Sequence, residues 1–91
     1  MTDGTGRRRN LSPSEVTQHN RRVNLDHLLR ELESEGVESK ALIDQLLGLP
    51  LGTIALIRKG EALPDKMARE IEWAMNRPAG WLDREPVESD I

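Results

Sequence analysis

The chain has 91 residues, 36% of them hydrophobic, with a formal net charge of −3, no cysteine, and two tryptophans but no Phe or Tyr. That is one domain with one modest core, filled by Leu, Ile, Val and Met, which suits packed helices better than a sheet. Disulfide staples, zinc-finger chelation and thiol catalysis are excluded, and no apolar run approaches the roughly 20 residues of a membrane span.

The first residues lack the apolar stretch of a secretory signal, so a cytoplasmic protein is expected. Charge is unevenly spread. Residues 1–30 carry six arginines against three carboxylates, +3, which leaves −6 for the remainder. Two interpretations fit: a cationic end that meets a polyanion, or an acidic soluble protein with a basic tail.

Residues 1–11 are rich in Gly and polar side chains and have no apolar period, the pattern of a disordered arm. Ser12-Pro13-Ser14-Glu15 then reads as a helix start, with Ser12 as cap, Pro13 at the first helical position and Glu15 closing a capping box. Leu25, Leu28, Leu29 and Leu32 follow at i, i+3, i+4, i+7, one buried stripe, and Gly36 ends the helix. Because Asn20 to Asn24 is polar, the first half is either a separate short helix or a frayed end.

Ser39 caps a second helix through Ala41, Leu42, Ile43, Leu46 and Leu47, which Gly48 stops. A third helix runs from Pro50 to Gly60, with Arg58 and Lys59 in the last turn, where cations suit the helix dipole. A fourth starts at Leu63-Pro64-Asp65, presents Met67, Ile71, Ala74 and Met75 on one face, and is broken by Pro78. Trp81 and Leu82 form a short apolar clip, and 85–91 reads as a flexible acidic tail. No internal repeat and no strand-period segment is apparent. The expected architecture is all-α, four to five helices over residues 12–84. The expected core is Leu25, Leu28, Leu32, Leu42, Leu46, Ile54, Ile57, Met67, Ile71 and Trp81.

Two helices around a short Gly-containing turn, from Ser39 to Gly60, have the length and punctuation of a helix-turn-helix. The segment Lys40 to Gly48, followed by Thr53-Ile54, Ile57 and Gly60, resembles the lambda-repressor-like, Cro-type (XRE) family. The run Met67-Ala68-Arg69-Glu70-Ile71-Glu72, then Pro78-Ala79-Gly80-Trp81-Leu82-Asp83, resembles a subgroup of small phage and prophage regulators with an "ARxIE" helix followed by "PxGWLD". Arg21-Arg22-Val23-Asn24-Leu25 resembles that subgroup's first helix, so the likeness covers roughly residues 20–84.

The resemblance implies a compact helix-turn-helix domain that binds double-stranded DNA and regulates transcription. The second motif helix would lie in the major groove. Carried over by position, Ser39, Lys40, Thr53, Arg58 and Lys59 lie against the phosphate backbone. Pro50, Leu51, Gly52, Ala55 and Leu56 face the groove. Leu49, Ile54 and Ile57 point inward, and Trp81 and Leu82 pack back on the core. Family members often pair to match a two-fold site, which makes a homodimer an expectation, although no dimer seam is visible in the sequence.

Two departures stand out. Base readout uses hydrogen-bonding side chains, whereas the groove-facing set is Pro, Leu, Gly, Ala and Leu. Asp44 occupies the helix crossing, where the family places a small residue. An unpaired buried carboxylate is costly, so Asp44 caps the next helix, pairs with a basic residue, or marks a more open crossing. These departures support a second hypothesis, in which the apolar face at Pro50, Leu51, Ala55 and Leu56 binds a protein partner such as RNA polymerase or another regulator. A third reading has Leu51 and Leu56 buried by the N-terminal segment or by a dimer partner.

Arg7, Arg8 and Arg9 form either a flexible arm that assists DNA binding or a solubilising tail. His19 and His27 are eight residues apart with no carboxylate trio beside them, a surface pair rather than a metal site. Glu31, Glu33, Glu35 and Glu38 form a solvated face. No nucleophile is set beside a base and no Gly-rich phosphate loop is present, so neither a catalytic site nor a cofactor is expected.

Overall fold

A computed structural model describes residues 12–86, which fold into four helices: α1 (Pro13–Ser34), α2 (Lys40–Leu46), α3 (Thr53–Arg58) and α4 (Asp65–Ala74). The basic arm at 1–11 and the tail from 87 onward lie outside the described residues. Among the described residues, no helix is long and apolar enough to cross a membrane.

The capping box at the start of α1 forms as expected. The Ser12 hydroxyl accepts the Glu15 N–H at 3.2 Å, and the Glu15 carboxylate accepts the Ser12 N–H at 2.8 Å. These bonds hold the Glu15 carboxyl below the usual carboxylate range. At the other end the Val37 N–H reaches back to the Leu32 carbonyl at 2.9 Å, closing the helix at Gly36.

α1 is one unbroken helix of 22 residues, not a short helix followed by a second. Its polar stretch is no break because those side chains serve a distant partner. Asn20 donates to the Asp83 carbonyl at 3.0 Å, and Asn24 to the Leu82 and Arg84 carbonyls, both at 2.9 Å. Arg21, 3% exposed, lies between them. It donates to the Leu63 carbonyl, Asp65 and Asp83 at 2.6 Å each.

The core is built on Leu25, Leu28, Leu29 and Leu32 of α1, against Ile43, Leu47, Leu49, Ile54, Ile57, Leu63, Ala68, Ile71 and Leu82. Leu49, Ile54, Ile57 and Leu82 point inward as expected. Two expectations fail. Leu42 and Leu46 are 44% and 48% exposed, and Ile43 and Leu47 are buried in their place. Residues 42 and 46 form one i, i+4 stripe and 43 and 47 another. A seven-residue helix against this core buries one of them, and Asp44, which must reach α3, turns the second stripe inward. Met67 and Trp81 flank the core and are only partly buried.

α3 begins at Thr53 and not at Pro50. Residues Pro50–Thr53 form a turn closed by a Thr53 N–H to Pro50 carbonyl bond of 3.2 Å, with Gly52 at φ 90° and ψ −5°. Those angles match the third residue of a type II turn, which a residue with a Cβ adopts only at a cost. The helix therefore starts one residue beyond the glycine. α4 likewise ends at Ala74, before Pro78, because Asn76 turns left-handed at φ 62°.

Candidate functional site

The corner from Ser39 to Gly60 packs α2 against α3 through a six-residue connection. The Ser39 hydroxyl caps α2 by accepting the Leu42 N–H at 3.3 Å. α3 has no side-chain cap of its own, since Gly52 precedes it. Asp44 supplies one from α2. Its carboxylate accepts the Gly52 N–H at 2.8 Å and the Ile54 N–H at 3.0 Å, with the residue 1% exposed. Of the readings open for Asp44, capping of the next helix is the one the geometry realises. The carboxylate also sits at the positive end of the α3 dipole.

With its base fixed this way, α3 is turned outward. Leu51 is 73% exposed and Leu56 53%. Pro50 and Gly52 are exposed and Ala55 is half-buried. Among the described residues nothing covers these leucines; the N-terminal segment that the third reading names lies outside them.

The polar positions are less uniform. Lys40, Arg58 and Lys59 are exposed. Thr53 is half-buried and donates its hydroxyl to the Pro50 carbonyl at 2.6 Å, so it stabilises its own turn. Arg58 stands 3.7 Å from Asp26, which also pairs with Arg30 at 3.1 Å. A cleft of about 400 Å³ between α1 and α3 brings Arg22 beside Arg58, with Asp26 and Ile57 in its wall. Arg22 thus joins the cationic edge of α3 from 36 positions upstream. Arg7, Arg8 and Arg9 lie outside the described residues. The chemistry available is an apolar strip edged by exposed cations, able to meet phosphates at its ends and methyl groups along its length.

A second corner, not foreseen in the sequence, repeats the first 28 residues later. Glu72, on α4 and 1% exposed, accepts the Gly80 N–H at 3.0 Å and the Leu82 N–H at 2.7 Å. Asp44 and Glu72 therefore each hold the amides eight and ten positions ahead. The Leu49 N–H meets the Asp44 carbonyl, and the Arg77 N–H the Glu72 carbonyl, both at 2.8 Å. Pro50–Thr53 has its counterpart in Pro78–Trp81, closed at 3.0 Å, and Gly52 at φ 90° has its counterpart in Gly80 at φ 92°. The signal that carried this was Pro-x-Gly-x-Ile/Leu with a carboxylate eight residues before the glycine.

This second corner is locked in place. Asp83 is held by Arg21 at 2.6 Å and by Arg69 at 2.8 Å, and Arg69 also pairs with Glu72 at 2.9 Å. The hydrogen bond from Arg21 holds the Asp83 carboxyl below its ordinary value, against the opposing effect of burial. The same bond raises the Arg21 guanidinium above its own ordinary value, again against burial. The Arg77 and Arg84 guanidinium groups both stand over the Trp81 ring, 4.9 and 5.2 Å from its centre.

His19 and His27 are exposed, as are Glu31, Glu33, Glu35 and Glu38, and Glu31 pairs with Arg77 at 2.8 Å. Comparison with protein-family models, with curated proteins and with solved structures finds no match for this chain.

Proposed function

We propose that the chain is a small transcriptional regulator that docks on double-stranded DNA through the corner from Ser39 to Gly60. The observation that carries this reading is α3 held outward on the Asp44 cap with cations around it. Arg58, Lys59 and Arg22 lie at its far end and flank, and Lys40 at the start of α2. Phosphate contacts set register and supply most of the affinity. Leu51, Ala55 and Leu56 touch thymine methyls and groove walls, so base discrimination is modest. Thr53 leaves the phosphate-contacting set, because its hydroxyl is already committed to Pro50.

A titration of the full chain against duplex DNA at two salt concentrations tests this. Binding weakens steeply with salt, and Lys59→Ala or Arg58→Ala lowers the slope of log K against log salt by about one each. Absence of binding at low salt overturns the reading.

The bare Leu51 and Leu56 favour a second reading, in which α3 grips a protein such as RNA polymerase. In that case Leu51→Glu or Leu56→Glu abolishes capture of purified polymerase and leaves the helical circular-dichroism signal intact. Capture that survives both substitutions removes this reading.

A further inference from the structure

The cleft between α1 and α3 carries an anion among its cations. Arg22, Asp26 and Arg30 follow one another at single-turn spacing along α1, so either arginine is within helical reach of Asp26. One oxygen of Asp26 turns to Arg30 at 3.1 Å, and the other lies 3.7 Å from Arg58 at the end of α3. Arg22 is exposed and enters no ion pair among the described residues. Arg22 and Arg58 line the same cleft, over a buried floor of Leu25, Leu29 and Ile57 whose side chains offer a guanidinium no acceptor. The hold on Arg58 is loose. A separation of 3.7 Å is beyond hydrogen-bond reach, both partners are exposed by more than 40%, and such a pair contributes little. Asp83, gripped by Arg21 at 2.6 Å and Arg69 at 2.8 Å, shows what a committed carboxylate looks like in this chain.

We propose that this cleft takes one backbone phosphate of the DNA, straddled by Arg22 and Arg58, and that Asp26 is the internal anion that Arg58 gives up on binding. The inference rests on the DNA reading above and names a site within it. A phosphate diester has two free oxygens, and guanidinium forks from two helices can take one each. Asp26 and the negative end of the α3 dipole both oppose an anion here, so neither arginine suffices alone. Asp26 thereby tempers affinity, since each phosphate that enters must displace it from Arg58.

A titration of the full chain and its variants against a short duplex of mixed sequence, over a series of salt concentrations, tests this. Arg22→Ala and Arg58→Ala each lower the slope of log K against log salt by about one, and the double variant also lowers it by about one rather than two, because both side chains serve one phosphate. Asp26→Asn tightens binding roughly threefold, the order of one exposed ion pair. That gain disappears in the Arg58→Ala background. Far-UV circular dichroism confirms that each variant keeps its helices. A double variant whose slope falls by twice the single amount assigns the arginines to separate phosphates and overturns the proposal. So does an Arg22→Ala slope equal to that of the parent chain, an Asp26→Asn variant that binds no tighter, or a gain that persists without Arg58 and is therefore long-range repulsion alone. In each of these cases the parent chain still binds and the docking reading stands, whereas a parent chain that binds no duplex at low salt removes both.

Discussion

The corner at 43–56 and the corner at 71–84 share a hinge and differ in the segment each hinge leads into. In each, a buried carboxylate on the first helix takes two amides beyond a Pro-x-Gly turn. After the first hinge the chain makes α3 and shows Leu51 and Leu56 to solvent. After the second it makes a single turn and is clamped to α1 by Asn20, Arg21 and Asn24. One device thus serves presentation in one place and closure in the other. The difference lies in the partners: Asp44 has no basic partner within ion-pair distance among the described residues, whereas Glu72 has Arg69 and its corner has Arg21.

The strongest way to break this comparison is to remove the clamp alone. Arg21→Met leaves Asp83 with Arg69 alone and takes one of two donors from the Leu63 carbonyl, which keeps Gln18 at 2.9 Å. The expected cost is about 3–5 kcal/mol in urea denaturation, from the loss of a buried guanidinium's charge-assisted hydrogen bonds to three partners, two of them carboxylates that are themselves partly exposed. A loss under about 1 kcal/mol would show that the second corner closes without it.

Next come the two hinges. Asp44→Ala and Glu72→Ala each orphan two amides, at about 2–4 kcal/mol apiece. If the corners act independently, the double variant sums the two within about 0.5 kcal/mol. Amide hydrogen exchange separates them. Asp44→Ala accelerates exchange at Gly52 and Ile54, and Glu72→Ala does so at Gly80 and Leu82. Cross-effects of equal size would mean that the hinges are one unit.

Gly52→Ala and Gly80→Ala sharpen the comparison further. A Cβ at either position meets nothing within 4 Å, so the left-handed backbone alone sets the cost. Both should lose about 1–2 kcal/mol, and by equal amounts. Unequal losses in thermal melts would show that the two turns are strained differently.

The smallest expected effect is on pH dependence. Asp83 titrates below its ordinary value of 3.8 in the folded chain. Its contribution is therefore fully present above that value and drains away as pH falls through the lower folded value. Asp83→Asn should lower stability at neutral pH and flatten the acid limb, so that the variant and the parent chain converge as pH falls. An unchanged acid limb would assign acid unfolding to other carboxylates.

Much of the helical framework was legible from local chemistry. The Ser12 and Ser39 caps, the Leu25–Leu32 stripe and Gly36 as a stop all come from rules that act within a few residues, whereas the outward Leu51 comes from the family resemblance. The features that escaped depend on distant partners. The spacing of Leu42 and Leu46 equals that of Ile43 and Leu47, and only the reach of Asp44 decides between them. Asn20 to Asn24 reads as a break because the carbonyls that satisfy it come some 60 positions later. The candidate site was legible as an apolar strip with cations, but Arg22 enters it only through the fold. The repeated corner hid because its shared features are a carboxylate, a proline and a glycine rather than an apolar period.

The bonds from Arg21 and Asn24 to residues 63–84 also bear on how the chain matures during synthesis. The first helix leaves the ribosome with an uncompensated guanidinium and amide facing its future interior, and these remain hydrated until position 84 has emerged. Native packing must then wait for residues 63–84 to emerge, so a nascent chain arrested at Gly80 should stay sensitive to protease where one carried on a C-terminal linker that clears Arg84 from the ribosome resists it.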